Sequence, residues 1–320
     1  MTLTARYVPR ALRNAASCTS PKFAAFGVEA RRHLKTLRVA GVPEHFFAPF
    51  HIAKERGLYE AHGVDFKWQM TPEGTGKMAQ DLEAGHVDVA LMVSEGAVAK
   101  TAAGAPFKVI GTYVHSPLRL GVHVRAGSQI ATLGDLKGKV FGISRMGSSS
   151  HLMSHVLASQ QGWDVAKDAP LMVVNNFDGA KKAMAAGEID VWVWERFTTK
   201  QMVDSGEWEL VSELPTPWHP FLFVASDKAL AELSTEIRAA VEVTQKVCAE
   251  FKANHAGSTI EYLSKHHHLS EVDAVDWLDS TEWACKLEVD QATLDKTQEA
   301  LVIIGQLQEP APSGKILGSI

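Results

Sequence analysis

The run VDVALMV (Val87–Val93) carries a single charge, so a strand made from it must be covered on both faces. A helical stretch that stops at glycine leads into it, and the same phrase occurs again further along. EAGHVDVAL (Glu83–Leu91) and AAGEIDVWV (Ala185–Val193) each end a helix at Ala-Gly and enter an apolar strand through an acid. A chain that repeats this unit is expected to build two similar α/β lobes.

The surrounding pattern agrees. Strand-like runs are LRVAGV (Leu37–Val42), VDFKWQM (Val64–Met70), FKVIGTYV (Phe107–Val114), LKGKVFGIS (Leu136–Ser144), LMVVNNF (Leu171–Phe177), WELVSEL (Trp208–Leu214) and FLFVAS (Phe221–Ser226). Helical patterns lie between most of them. After Lys228 the periodicity is helical over 228–255, 257–265, 270–286 and 289–307, which predicts a helical C-terminal cap. With 320 residues, two lobes and a cap account for the length.

Charge divides the chain. Residues 1–35 hold Arg6, Arg10, Arg13, Lys22, Arg31, Arg32 and Lys35 against Glu29, a net of +6. The whole chain is at −5, so the remainder is at −11. The first segment, with spaced arginines among apolar and hydroxyl residues, reads as a mitochondrial import presequence; a plastid address, or a disordered basic tail on a cytoplasmic protein, is the alternative. The acidic body argues against nucleic acid as a partner. No stretch reaches about 18 apolar residues, so no membrane span is expected. The three cysteines show no zinc or disulfide spacing. Cys248 and Cys285 fall in helical patterns and read as buried thiols of a reducing compartment.

Several enzyme motifs fail on inspection. PEGTGKM (Pro72–Met78) lacks the first glycine and the final Ser or Thr of a P-loop, having Thr71 and Met78 there. GISRMG has one residue too many for a nucleophile elbow. His151 and His155 have the i,i+4 spacing of zinc helices, but Leu152 replaces the general-base glutamate of that motif. His266–His268 follow a helical pattern and read as solvated.

What survives has the character of ligand contacts at strand ends. Glu44 and His45 follow the first strand, with capping as the alternative role for Glu44. Thr75 and Gly76 open a helix after the second strand, and Ser94 and Glu95 follow the third. GISRMGSSSH brings Ser144, Ser148, Ser149, Ser150 and His151 to a helix start, more hydroxyls than capping needs, and so suited to an acidic ligand group. Trp194 and Glu195 end another strand, and TPWHPF supplies Trp218. The tryptophans offer faces for a planar or cationic ligand.

The segments GVPEHF, GLYEAHGVDFKW, PEGTGKM, SEG, GTYVHSPL, DLKG, GISR, WERFTTK and TPW together resemble an orphan group of intracellular proteins. That group has fungal, algal and bacterial members and a fungal structural representative. It has the class II periplasmic solute-binding-protein fold and is related to nitrate, taurine and thiamine-precursor binding proteins. The resemblance spans Leu37–Ser226. It implies an α/β, two-lobed periplasmic-binding-protein-like (type 2) fold with two crossover strands, the first near Gly121–Arg125 and the return near Pro220–Ala225. The expected division is 36–123 plus 222–320 for one lobe and 124–221 for the other. It implies a cleft lined by the fourteen residues just named, Glu44 to Trp218. No catalytic residue, metal or cofactor is expected. One related branch makes a thiamine pyrimidine from its own histidine and pyridoxal phosphate with a cysteine-rich iron motif; no such cysteine cluster occurs here.

Two functions follow as expectations. The first is a binder that closes its lobes on a small planar or zwitterionic metabolite, one related to thiamine-pyrimidine precursors in the sense of that relationship, with no permease partner. The alternative is an enzyme of small-molecule metabolism on the same fold, with His45 or His151 as acid/base and Glu95 or Glu195 as its partner.

Overall fold

The computed structural model describes residues 34–254 and 257–320. Residues 1–33 of the expected presequence lie outside the described residues, and its last residue, Lys35, opens the first strand.

Among the described residues, ten strands form two five-stranded sheets. The first contains β1 (Lys35–Gly41), β2 (Val64–Met70), β3 (Val89–Val93), β4 (Phe107–Val114) and β10 (Phe221–Ser226), in the order β2-β1-β3-β10-β4. The second contains β5 (Arg119–Arg125), β6 (Phe141–Ile143), β7 (Leu171–Val173), β8 (Val191–Glu195) and β9 (Trp208–Pro215), in the order β7-β6-β8-β5-β9. The two orders are the same plan. In one sheet β1 lies parallel to β2 and β3, in the other β6 lies parallel to β7 and β8, and the strand beside each third of these runs antiparallel. That antiparallel strand is contributed from the far side of a crossover, β10 in one sheet and β5 in the other.

The repeated sequence phrase has a structural cause. Gly85 and Gly187 take left-handed backbone at φ 70° and 71°, which costs glycine nothing and ends each preceding helix. The acids that follow do equivalent work. Asp88 accepts the backbone N–H of Arg38 at 2.8 Å, and Asp190 accepts that of Val140 at 2.9 Å. Each carboxylate thus ties the entry of a third strand to the neighbouring first strand. The sheets are mixed rather than all-parallel, but β3 is covered on both faces, as its composition requires.

The crossovers fall earlier than expected. Arg119–Arg125 pairs along its whole length with β8 and β9, so Gly121–Arg125 belongs to the second sheet and the first crossing is at 115–118. The return is at 216–220, since Phe221–Ser226 pairs wholly within the first sheet. The boundaries at 123/124 and 221/222 move accordingly. The two crossings lie side by side: Thr216 N–H donates to Leu118 O at 3.0 Å, and Leu118 N–H donates to Thr216 Oγ1 at 3.0 Å.

The first sheet buries an aromatic layer. Phe47 stacks on Tyr113 with centroids 5.6 Å apart, and Phe50 and Phe223 pack beside them. Each such side chain contributes about 1.5–3 kcal/mol by burial. The C-terminal helices are Asp227–Glu232, Ser234–Ala253, Ser258–His267, Glu271–Ser280, Gln291–Ile303 and Ser313–Ile316. The helix expected over 270–286 stops at Ser280. Beyond it Trp283 bridges to Val114 on the edge strand β4 and donates its Nε1–H to Phe46 O at 3.2 Å. Cys285 therefore lies past the helix, and it is disulfide-bonded rather than a thiol. Cys248 is a buried free thiol. Among the described residues no helix is long and apolar enough to cross a membrane.

Candidate functional site

The third strands of both sheets deliver a glutamate to the space between the lobes. Glu95 is the second residue of the helix Ser94–Ala102 directly after β3, and Glu195 is the last residue of β8. Both are only 3% exposed. Burial pushes each carboxyl above the ordinary carboxylate range, to about 7 for Glu195.

Their partners differ. Glu195 is held by its own loop: Oε2 accepts Thr198 N–H at 2.7 Å and Thr198 Oγ1–H at 2.8 Å. Glu95 is held from elsewhere. It accepts the Ser149 hydroxyl, at the start of the second-lobe helix Ser149–Gln160, and Trp218 Nε1–H at 3.2 Å, from the return crossover. The positive charge of Arg145 opposes the burial effect on Glu95. Glu95 therefore joins the first lobe to the second and to a crossover.

Glu44 lies at the turn after β1, partly buried, and caps nothing with its side chain. Burial and then the charge of Glu195 raise its carboxyl to about 8. Carboxylates of opposite lobes thus feel one another, which a cation between them would relieve. His45, next in sequence, is ringed by Phe46, Trp277, His267 and Phe197, the last from the second lobe. Its Nε2 is buried without a hydrogen-bond partner. Burial, then His267, lowers its pKa to about 3, so the ring is neutral. His267 is half-buried against it, not solvated as the histidine run suggested.

The serine-rich segment is largely committed to itself. Gly147 turns with φ 75°, and Ser148 caps the helix by accepting His151 N–H at 3.3 Å while donating to Arg145 O at 2.7 Å. Ser150 Oγ accepts Ser144 N–H at 2.9 Å and lies 3.0 Å from Ser148 Oγ. His151 Nδ1 accepts Gly147 N–H at 2.9 Å, and burial then His155 lowers its pKa to about 4. Ser149 alone reaches out of this knot, and it reaches Glu95.

Other expected contacts do different work. Ser94 donates from its hydroxyl to His219 O and from its N–H to Pro220 O at 2.9 Å, anchoring the return crossover. Thr75 is buried against Gly96, and its Oγ1 accepts Val93 N–H at 3.4 Å; Gly76 continues the same helix. Trp194 stacks on Trp192, centroids 5.0 Å apart, in the second-lobe core cluster. Strand alternation puts it on the face opposite Glu195, so the two do not converge. Trp218 is buried, its indole N–H donating to Glu95 and its carbonyl accepting the Thr216 hydroxyl at 2.8 Å.

Sequence reading missed a charged group beside the site. Arg119 and Arg196 flank Phe197 at 5.3 and 5.2 Å from its centroid. Arg119 donates to both oxygens of Glu213 at 2.9 and 3.1 Å and to Asp276 Oδ1 at 2.8 Å. Arg196 also reaches Glu213 and Asp276. Asp276 lies on the cap helix Glu271–Ser280, so the cap is pinned to the second lobe. Arg196 and Phe197 were visible in WERFTTK, but no local pattern discloses partners 17 to 157 positions away.

Comparison with known proteins places these features in a lineage. The model of the family described as "NMT1/THI5 like" matches residues 44–256. The solved structure of the CA3427 gene product of Candida albicans, described as defining a new family with the generic periplasmic binding protein fold, is 30% identical. It superposes with a TM-score of 0.78, covering 86% of this chain and 91% of that one. The periplasmic aliphatic sulphonate binding protein SsuA of Escherichia coli is 17% identical, with a TM-score of 0.72 over 89% of this chain and 92% of that one. A Bacillus subtilis (strain 168) protein named "Putative binding protein YtlA" is 28% identical over 184 residues, 56% of this chain. The match spans about half of that relative's length, 54%.

Proposed function

We propose, from the premise that this chain belongs to the NMT1/THI5-like family and has the periplasmic binding protein fold, that it binds a small metabolite between its lobes. The ligand presents N–H donors or a positive end. The observation that carries this reading is a pair of glutamates from opposite lobes, Glu44 partly buried and Glu195 buried, each raised in pKa by burial and Glu44 further by the charge of Glu195. A cation placed there would take up charge that the fold now suppresses by holding protons.

An aminopyrimidine of the thiamine-precursor kind fits this chemistry, being planar and amine-bearing. An aliphatic sulphonate, the ligand in the name of the SsuA neighbour, fits it poorly, because its negative end would face carboxylates. Residues 1–35 are proposed to direct the protein to mitochondria, where it would serve without a permease; fusing them to a fluorescent reporter tests this, and diffuse fluorescence rejects it.

Thermal-shift measurements followed by calorimetry, with aminopyrimidines, polyamines, pyridoxal phosphate and sulphonates, test the ligand class. The expected result is stabilisation by an amine-bearing compound that Glu195→Ala and Glu44→Ala each weaken at least tenfold. Binding that ignores both substitutions rejects the cleft.

A further inference from the structure

The start of the helix Ser149–Gln160 has the parts of an anion site: a hydroxyl-rich turn, a helix N-terminus and the positive charge of Arg145 acting there. The structure has already filled that position with a carboxylate of its own. Ser148 and Ser150 are spent inside the turn, and the hydroxyl that leaves it, Ser149, goes to Glu95. The second donor on Glu95 is the indole N–H of Trp218, a group that can only donate. Glu95 is buried, so its charge acts through protein rather than through bulk water.

We propose that Glu95 is the specificity-determining residue of the cleft: by holding Ser149 and Trp218 with a carboxylate of the chain, it excludes small anions and admits ligands that bring N–H donors. The inference rests on the cleft reading above and narrows it. A ligand donor replaces the Ser149 hydroxyl or the Trp218 N–H on Glu95 and so trades one hydrogen bond for another. An anion would have to displace Glu95 and then stand beside it.

Glu95→Gln tests this without emptying the position. The glutamine oxygen still accepts from Trp218, and its amide can donate to Ser149, so the packing is kept while the charge is removed. Calorimetry compares wild type, Glu95→Gln and Ser149→Ala against two probes, ethanesulphonate and 4-amino-5-aminomethyl-2-methylpyrimidine. The expected result is that wild type binds the pyrimidine and not the sulphonate. Glu95→Gln should lose at least tenfold in pyrimidine affinity and gain measurable sulphonate binding. Ser149→Ala, which keeps the charge, should still reject the sulphonate. Sulphonate binding to wild type and Glu95→Gln within twofold overturns the proposal, as does a pyrimidine affinity indifferent to Glu95→Gln. If that affinity nevertheless falls with Glu195→Ala, the cleft reading stands and only the role of Glu95 falls. If neither probe binds wild type and Glu95→Gln gains no sulphonate, the proposal is likewise overturned.

Discussion

The two lobes share one strand plan, yet their third strands lead to glutamates with opposite attachments. Glu195 is hydrogen-bonded by Thr198, three residues away, and would keep those bonds however the lobes sat. Glu95 is hydrogen-bonded by Ser149 and Trp218, 54 and 123 positions away, and keeps them only while the lobes are together. A shared frame therefore delivers one acid as a fixed part of its lobe and the other as a tie between lobes. The same division holds for the loops after the first strands. One presents Glu44, whose side chain caps nothing, and His45, whose Nε2 is buried without a partner, and the other presents serines that satisfy each other.

The largest expected effect separates the two acids by pH. Glu195 holds its proton to about 7 and Glu44 to about 8, whereas an unfolded glutamate releases it near ~4.3. The folded state keeps protons the unfolded state has lost, so these groups drain stability as pH rises from ~4.3 through those values. Buried histidines act the other way. His45 at about 3, and His123, His151, His219 and His267 at about 4, cost stability as pH falls below the unfolded value near ~6.5. Between pH ~6.5 and ~8 only the acids of this set still change the balance. Denaturant melts should show stability falling across that window. Glu195→Gln, which keeps an acceptor for Thr198, should gain on the order of 2–3 kcal/mol at pH 8 and little at pH 5. An unchanged pH profile breaks the contrast.

Next in size is Glu95→Ala. It leaves the Trp218 N–H buried without an acceptor, at a cost of about 1–3 kcal/mol, and it removes a tie between lobes. Small-angle scattering should report a larger radius of gyration than for wild type, whereas Glu195→Ala should leave the radius unchanged. Equal radii for all three proteins would mean that Glu95 ties nothing.

Arg119→Ala is expected to cost about 1–2 kcal/mol, because its partners are partly exposed and Arg196 still reaches both carboxylates. The loss should shrink in high salt. A salt-independent loss would assign the effect to packing on Phe197 instead.

The smallest effect is the most discriminating for the site. Trp194→Ala should leave ligand affinity within twofold, while Trp218→Phe, which deletes only the N–H donor, should shift it at least threefold. Calorimetry on both variants checks this, and the reverse ranking would move the ligand to the other face of β8.

Much of the frame was legible before any coordinates. VDVALMV had to be buried on both faces, the Ala-Gly stops had to end helices, and the repeated acid after them marked two equivalent strand entries. The crossovers were displaced because Arg119–Arg125 and Phe221–Ser226 read as strands whichever sheet receives them; only pairing assigns them. The helix expected to reach 286 ended at Ser280 because Trp283 finds a sheet edge and a carbonyl acceptor at Phe46, a long-range gain that periodicity does not contain.

Chemistry followed the same rule. The sequence by itself determined which residue types stand at the strand ends: acids and a histidine after β1 and β3, serines after β6, an acid ending β8. It did so because hydrophobic period and glycine stops fix where strands end. The tertiary structure decided which of those groups were already spent. Ser144, Ser148 and Ser150 were spent within their turn, Ser94 on the return crossover, Trp194 on Trp192, and Ser149 on Glu95. Hydrogen-bond satisfaction is a property of distance in space, and a buried donor or acceptor takes whichever partner the fold brings near.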